Sequence, residues 1–239
     1  MERINLFESP HLWSTMGPAL RPGGLELTRA LLEQCIILPP KARILDIGCG
    51  RGTTVAYLEN DHGIRAVGMD LSSLVLASAR KTNPGLSLVR GDSLDLPFAG
   101  ESMDGIFMEC VLSLVAEPSL ALDQCREVLR PGGYLAVSDI YTRSTNAEPL
   151  KPDLGFNSCL GGATDRASVI QRVTDAGFTL VSWEDRTDLL KQLAARLVFA
   201  FGSMNAFWSM FCQGTIPQDA DRIIRGMRPG YYSLVARRN

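Results

Sequence analysis

In Ile44-Leu45-Asp46-Ile47-Gly48-Cys49-Gly50-Arg51-Gly52-Thr53-Thr54, a short apolar run meets glycines at every second position. An amphipathic run from Thr53 to Glu59 follows. Glycine takes a positive φ without steric penalty and lets a ligand touch backbone. The order therefore predicts a buried strand, a tight turn and a helix start. The first turn of that helix would present unpaired N–H groups to whatever sits above it.

Two kinds of ligand suit such a turn, and a ligand-free strand–helix turn is the alternative to both. A dinucleotide site wants G-x-G-x-x-G. Here the third glycine comes one residue sooner, as G-x-G-x-G. Asp46 stands two residues before Gly48, where a carboxylate would favour a cationic group and repel a pyrophosphate. S-adenosylmethionine (SAM) carries an ammonium and a sulfonium and no phosphate. The stretch resembles the class I SAM-dependent methyltransferases. That resemblance implies an α/β, Rossmann-like fold: a mostly parallel seven-stranded sheet, helices on both faces and an antiparallel last strand. It also implies SAM as cofactor, with Gly48, Cys49, Gly50 and Gly52 against it.

The rest of the chain keeps the rhythm. Arg65 to Met69 is a second predicted strand, and Asp70 at its end, beside Leu71, can accept both hydroxyls of a ribose. Ser72 caps a predicted helix through Arg80. Leu86 to Arg90 is a third strand, followed by Gly91-Asp92-Ser93. In the resembled family an acid here takes the adenine amine and the next N–H reaches the ring, roles that fall on Asp92 and Ser93. Gly105 to Glu109 is a fourth strand, Pro118 to Leu129 a helix, and Tyr134 to Ile140 a fifth strand after the stop at Arg130-Pro131-Gly132-Gly133. Strands alternating with helices predict a parallel sheet whose ligand crevice lies beyond the strands' carboxyl ends. Asp46, Asp70, Asp92, Glu109 and Asp139 all fall at or just past such ends, which suits a cationic cofactor.

Residues 1–24 read as irregular, with a helix from Leu25 to Ile37. The loop Arg21-Pro22-Gly23-Gly24 is either a flap over the cofactor's methionine end or a plain helix start. From Tyr141 to Leu160 the pattern dissolves into Pro, Gly and Asn. A helix from Asp165 to Ala176, capped by Thr164 or Asp165, and a strand from Phe178 to Asp185 come next. Leu189, Leu190, Leu193, Leu197, Phe201, Met204, Phe207, Trp208 and Phe211 form one apolar stripe. That stripe predicts a long helix over 187–211, packed on the core or a second subunit, or roofing an acceptor pocket. Tyr231 to Ala236 is the last strand, which the resemblance places antiparallel beside the Phe178–Asp185 strand. The organisation expected is one domain over 1–239. Residues 1–40 form a cap segment and 41–141 the SAM-binding core. Residues 142–164 and 187–230 are insertions that form the acceptor side or an interface.

The 239 residues suffice for such a domain, and 46% of them are apolar. A net charge of −2 and a sequence pI of about 5.8 give no electrostatic case for nucleic acid. No apolar run approaches the ~18 residues of a membrane span, so no membrane partner is expected. Met1-Glu2-Arg3-Ile4-Asn5 has no signal-peptide pattern. The six cysteines form no C-x-x-C pair, which predicts reduced thiols in a cytoplasm and no zinc site. With two histidines, His11 and His62, no metal is expected. A homodimer through 187–211 is the expected assembly.

Later motifs resemble the arsenite methyltransferase-like branch of the family. Leu129 to Ile140 is similar to its fifth-strand motif. Cys110-Val111-Leu112-Ser113-Leu114 and Ser158-Cys159-Leu160-Gly161-Gly162-Ala163 are similar to two of its cysteine-bearing segments. Soft thiolates suit a soft metalloid. The chain departs from that branch at Val55, where the branch carries a further cysteine, and Cys212 is only a loose match to its C-terminal one. The function this implies is methyl transfer from SAM to a small-molecule acceptor. The alternatives are arsenite or thiol methylation through Cys110 and Cys159, and a non-catalytic SAM-binding module. Asp139, Tyr141, Cys110 and Cys159 are the catalytic candidates, and Glu109 and His11 are further bases within reach of the pattern.

Overall fold

Ser9 and Pro10 begin a helix inside the segment expected to be irregular. The computed structural model describes residues 4–16, 19, 21–35, 38–144, 156–210 and 220–239. Near the N-terminus it shows strand β1 (Ile4–Asn5), a 3-10 turn over Leu6–Glu8 and helix α1 (Pro10–Met16). Proline suits the first helical position because its missing N–H would be unpaired there, and the Ser9 hydroxyl accepts from the Leu12 N–H at 3.4 Å. Helix α2 (Gly24–Gln34) follows, close to the expected span; Ile36 and Ile37 lie outside the described residues.

Next come β2 (Arg43–Ile47), α3 (Thr53–His62), β3 (Arg65–Asp70), α4 (Ser73–Thr82), β4 (Leu88–Arg90) and β5 (Met103–Glu109). They are followed by α5 (Pro118–Val128), β6 (Leu129–Thr142), β7 (Phe156–Asn157), α6 (Arg166–Asp175) and β8 (Phe178–Asp185). Helices α7 (Thr187–Phe201), α8 (Met204–Ser209) and α9 (Ala220–Met227) lead into β9 (Pro229–Arg238). The two expected caps form: Ser72 accepts from Val75 N at 3.2 Å, and Asp165 accepts from Ser168 N at 3.0 Å.

Seven strands make one sheet in the order β4-β3-β2-β5-β6-β9-β8. Pairing is parallel from β4 across to β6, and β9 runs antiparallel between β6 and β8, as expected. Strand β2 sits mid-sheet with Asp46 opposite Gly68 on one side and Phe107 on the other. Alternate residues point to opposite faces. Leu45 and Ile47 pack with Ile106, Met108 and Val137 on one face, and Ile44 packs with Leu31, Val55 and Phe107 on the other. Burial on both faces is why these strands are nearly continuous apolar runs. A second, two-stranded sheet pairs β1 with β7 in parallel, Ile4 opposite Phe156.

The single helix expected over 187–211 is two helices. Gly202, at φ 83°, ends α7, and the Ser203 hydroxyl accepts from Ala206 N at 3.0 Å to start α8. The apolar stripe crosses this break because both helices turn the same side inward, where Leu197 and Phe207 are buried. Phe211, Cys212 and parts of both expected insertions, 145–155 and 211–219, lie outside the described residues. Among the described residues no helix is long and apolar enough to cross a membrane.

Candidate active site

The glycine turn closes over the end of the neighbouring strand. Gly48 N and Cys49 N both donate to the Met69 carbonyl, at 2.7 and 3.0 Å. Gly48, Gly50 and Gly52 all have positive φ. Their reasons differ. A Cβ on Gly48 would stand 2.3 Å from Val111 Cγ2, one on Gly52 would stand 2.7 Å from Leu86 Cδ1, and one on Gly50 would meet nothing within 4 Å. Gly48, Cys49 and Gly50 line a cavity of about 700 Å³ at the carboxyl ends of the central strands; Gly52 does not. Gly52 stands behind that wall, where a side chain would meet Leu86.

Asp70 ties this turn to the next. Its Oδ2 accepts from Gly50 N and its Oδ1 from Ser72 N, both at 2.9 Å. Burial raises its carboxyl and the backbone donors pull it back. Asp70 and Leu71 face the cavity, as do Asp92 and Ser93 from the turn after β4. Asp92 Oδ1 accepts from Leu94 N at 3.0 Å, an Asx turn that fixes the loop.

Glu109 also lines the cavity, but not as a free acid. It is 8% exposed and meets Arg21 at 2.9 Å. Two threonines bridge the pair. Arg21 Nη2 donates to Thr28 Oγ1 and Thr54 Oγ1 at 2.6 and 2.9 Å, and those hydroxyls donate to the Glu109 carboxylate at 2.9–3.1 Å. Arg21 therefore docks the N-terminal segment onto α2, α3 and the end of β5 at once. Asp46 is 3% exposed and lies behind the cavity wall rather than on it. Its position in β2 sets it on the Ile44 face of the sheet, under the helices. Burial first, then Glu109, push its carboxyl well above the usual range, and Arg21 opposes them.

The rim after β5 holds Cys110, Val111, Ser113 and Leu114 against the cavity. Cys110 has φ 60°, sparsely populated for a residue with a Cβ, and its Sγ lies 3.0 Å from the Tyr231 hydroxyl. Burial, then Asp139, then Cys159 push its thiol up. Burial pushes the partly buried Cys159 up to about 12. Asp139 is held by the protein: Ser113 N and Oγ donate to it at 2.8 and 2.7 Å, and Ile140 N at 2.7 Å. Tyr141 donates to Asp185 Oδ2 at 2.8 Å and packs edge-on to Trp183. Asp139, Tyr141, Cys159 and His11 are all absent from the cavity wall; His11 sits edge-on to Phe201.

The N-terminal segment supplies wall residues outside those candidates. Phe7, Trp13 and Arg21 line the cavity, and the Arg51 guanidinium, also on its wall, lies 5.5 Å from the centre of the Trp13 ring. Ser158, Gly161 and Gly162 close it from the segment after β6. The Ser9-Pro10 helix start was a usable signal for the first group; the second falls in the Ser158–Ala163 segment that family resemblance had singled out for its cysteine rather than for its serine and glycines.

Residues 45–137 match the family model described as a methyltransferase domain. Demethylmenaquinone methyltransferase of Beutenbergia cavernae is 36% identical over 103 residues, 43% of this chain and 42% of that protein. Phosphoethanolamine N-methyltransferase 1 of Arabidopsis thaliana is 32% identical over 183 residues, 73% of this chain and 36% of that protein. The chain thus spans about two fifths of the length of these relatives. The structure of Haemonchus contortus phosphoethanolamine N-methyltransferase 2 in complex with S-adenosyl-L-methionine superposes with a TM-score of 0.72 at 18% identity. That match covers 95% of this chain and 55% of that one. Residues 45–137 thus carry a methyltransferase domain, and the sheet order around it is that of the Rossmann-like class I methyltransferase fold.

Proposed function

We propose that the protein binds SAM in the cavity beside the glycine turn and transfers its methyl group to a small-molecule acceptor. Asp70 carries this reading: a cavity-lining carboxylate at the end of β3, held by Gly50 N and Ser72 N, with lone pairs left for a ribose. The other wall residues fit the same ligand. Gly50 leaves open space where a side chain would stand, and the acids Asp70, Asp92 and Glu109 outnumber Arg21 and Arg51. Asp92 and Ser93 would hold the adenine end. The SAM-bound Haemonchus structure supports the choice of cofactor. The relatives act, by their names, on a quinone precursor and on an amine, which supports a small-molecule acceptor without fixing its class.

Bound SAM supplies a methyl group already activated by its sulfonium. What remains for the chain is to align the acceptor and keep water out. Phe7, Trp13, Leu114 and the Ser158–Gly162 turn do this by walling the cavity. Asp139 and Tyr141 are engaged elsewhere, so the acceptor's own nucleophile attacks without a base from either. A metalloid held by Cys110 and Cys159 draws no support from thiols whose burial disfavours the thiolate. Unpaired cysteines at all five described positions fit a reducing, cytoplasmic setting.

Titration calorimetry tests the reading. S-adenosylhomocysteine and SAM are expected to bind in the low-micromolar range and NAD not at all. Asp70→Ala is expected to weaken the nucleoside by roughly 1.5–3 kcal/mol through lost charge-assisted hydrogen bonds. Saturable NAD binding without a SAM response would overturn the assignment.

A further inference from the structure

Away from the glycine turn and Asp70, the cavity wall is aromatic and aliphatic. Phe7 and Trp13 reach it from the N-terminal segment, and Val111 and Leu114 from the rim after β5. The polar groups of that rim are engaged within the protein. Cys110 N donates to the Ser138 carbonyl at 2.7 Å, and Cys110 Sγ lies 3.0 Å from the Tyr231 hydroxyl. Ser113 gives both its N–H and its hydroxyl to Asp139. What this side of the cavity offers a ligand is therefore apolar surface, the usual lining of a small-molecule site.

The indole of Trp13 is set in advance. Its Nε1 donates to the Phe7 carbonyl at 2.8 Å, which ties the two aromatic residues together. A side chain that is already fixed loses little freedom when a ligand packs on it, and aromatic rings pack on one another with a gain beyond buried area.

Charge then discriminates among acceptors. Among the described residues the wall carries Asp70, Asp92 and Glu109 against Arg21 and Arg51, a surplus of one acid. SAM, with its ammonium, sulfonium and carboxylate, brings one net positive charge and balances that surplus. A phosphate monoester would add about two negative charges to a site that is then neutral, and burying charge without a partner is costly. An uncharged ring gains from the apolar wall and leaves the balance alone.

We infer that the acceptor of this cavity is an uncharged aromatic ring of phenol or hydroquinone type, packed against Trp13 and Phe7, and not a phosphorylated amine. The hydroxyl oxygen forms the new bond to the methyl carbon as the S–CH3 bond breaks. The pair of that bond stays on sulfur, leaving S-adenosylhomocysteine, and the hydroxyl proton leaves to water.

The inference rests on the SAM reading, so it is tested by calorimetry on protein first saturated with S-adenosylhomocysteine. The probes are 2-naphthol and phosphoethanolamine. Wild type is expected to bind 2-naphthol more tightly by about tenfold or more. Trp13→Leu keeps apolar bulk but loses the ring, and is expected to weaken 2-naphthol by about fivefold; Trp13→Phe keeps a ring and is expected to stay within about twofold. Phe7→Leu is measured beside them and is expected to weaken 2-naphthol as well, which keeps the ring contribution readable if Trp13→Leu is too unstable to hold the nucleoside. The inference falls if phosphoethanolamine binds as tightly as 2-naphthol, if 2-naphthol does not bind, or if the leucine variants that hold the nucleoside bind 2-naphthol like wild type. A wild type that does not bind S-adenosylhomocysteine overturns the SAM reading and takes this inference with it.

Discussion

Asp139 shows how a residue can sit at the right address for the wrong reason. It lies near the carboxyl end of the interior strand β6, beside the cavity rim, where a general base would be sought, but three donors from Ser113 and Ile140 engage it. Its work is to hold the Leu112–Leu114 turn. Burial nonetheless raises its carboxyl from 3.8 to about 6, the donors offsetting only part. The folded state then binds the proton more tightly than the unfolded chain. The stability this contributes is complete below about 3.8 and is lost as pH rises through about 6. Urea unfolding of wild type and Asp139→Asn at pH 5 and 7.5 is the check. The wild type's stability relative to the variant is expected to be greater at pH 5, by about 1 kcal/mol. A relative stability that stays flat or grows toward pH 7.5 would refute the assignment. Strand-end position alone revealed Asp70, Asp92 and Glu109 as wall residues. It could not reveal that Asp46 and Asp139 face inward, because which acids the protein spends on its own backbone depends on partners far away in sequence.

The elements were legible wherever burial imposed a period. The strands of the parallel core show as apolar runs, and the helices between them carry caps that sequence displays openly, as at Ser72 and Asp165. The break between α7 and α8 was hidden by the stripe's regular spacing, although Gly202 followed by Ser203 is a helix stop and a helix cap in succession. What local pattern cannot show is how two turns meet. The turn Cys159–Gly162 packs so closely on Leu112–Leu114 that a Cβ on Gly162 would lie 1.9 Å from the Ser113 carbonyl oxygen. No side-chain rotation relieves a clash with backbone. Gly162→Ala is therefore expected to cost about 1–3 kcal/mol or more and to lower methyl transfer, since both turns wall the cavity. A Cβ on the adjacent Gly161 would meet nothing within 4 Å, so Gly161→Ala is expected to stay within about 0.5 kcal/mol of wild type. Thermal unfolding of the pair measures the difference; equal melting temperatures would mean that the two turns separate freely.

At the scale of the molecule, the parallel half of the sheet could be laid out from strand–helix alternation, and the antiparallel β9 came from family resemblance. The roof over the cavity could not, because it joins distant segments through very little sequence. Strand β1 pairs with β7 through two residues on each side, Ile4 with Phe156 and Asn5 with Asn157. Beyond β1, Phe7 and Trp13 reach the cavity; beyond β7, Ser158, Gly161 and Gly162 do. The short ladder thus makes one cover from two pieces, latched to the core by Arg21 on Glu109 and by Trp13 over Arg51. Two-residue strands are marginal on their own, so this cover belongs to the less stable part of the molecule and opens locally before the sheet does. A ligand that binds only beneath the closed cover stabilises both pieces together. At 100 times its dissociation constant, S-adenosylhomocysteine is expected to raise global stability by about 2.7 kcal/mol. Hydrogen exchange should show more than this uniform gain: amides of Leu6–Met16 and of Ser158–Gly162 slow in parallel, together with those of the glycine turn. If only Gly48–Gly52 slows while the N-terminal segment exchanges as fast as before, the two pieces do not act as one cover, and the cavity is open above its cofactor.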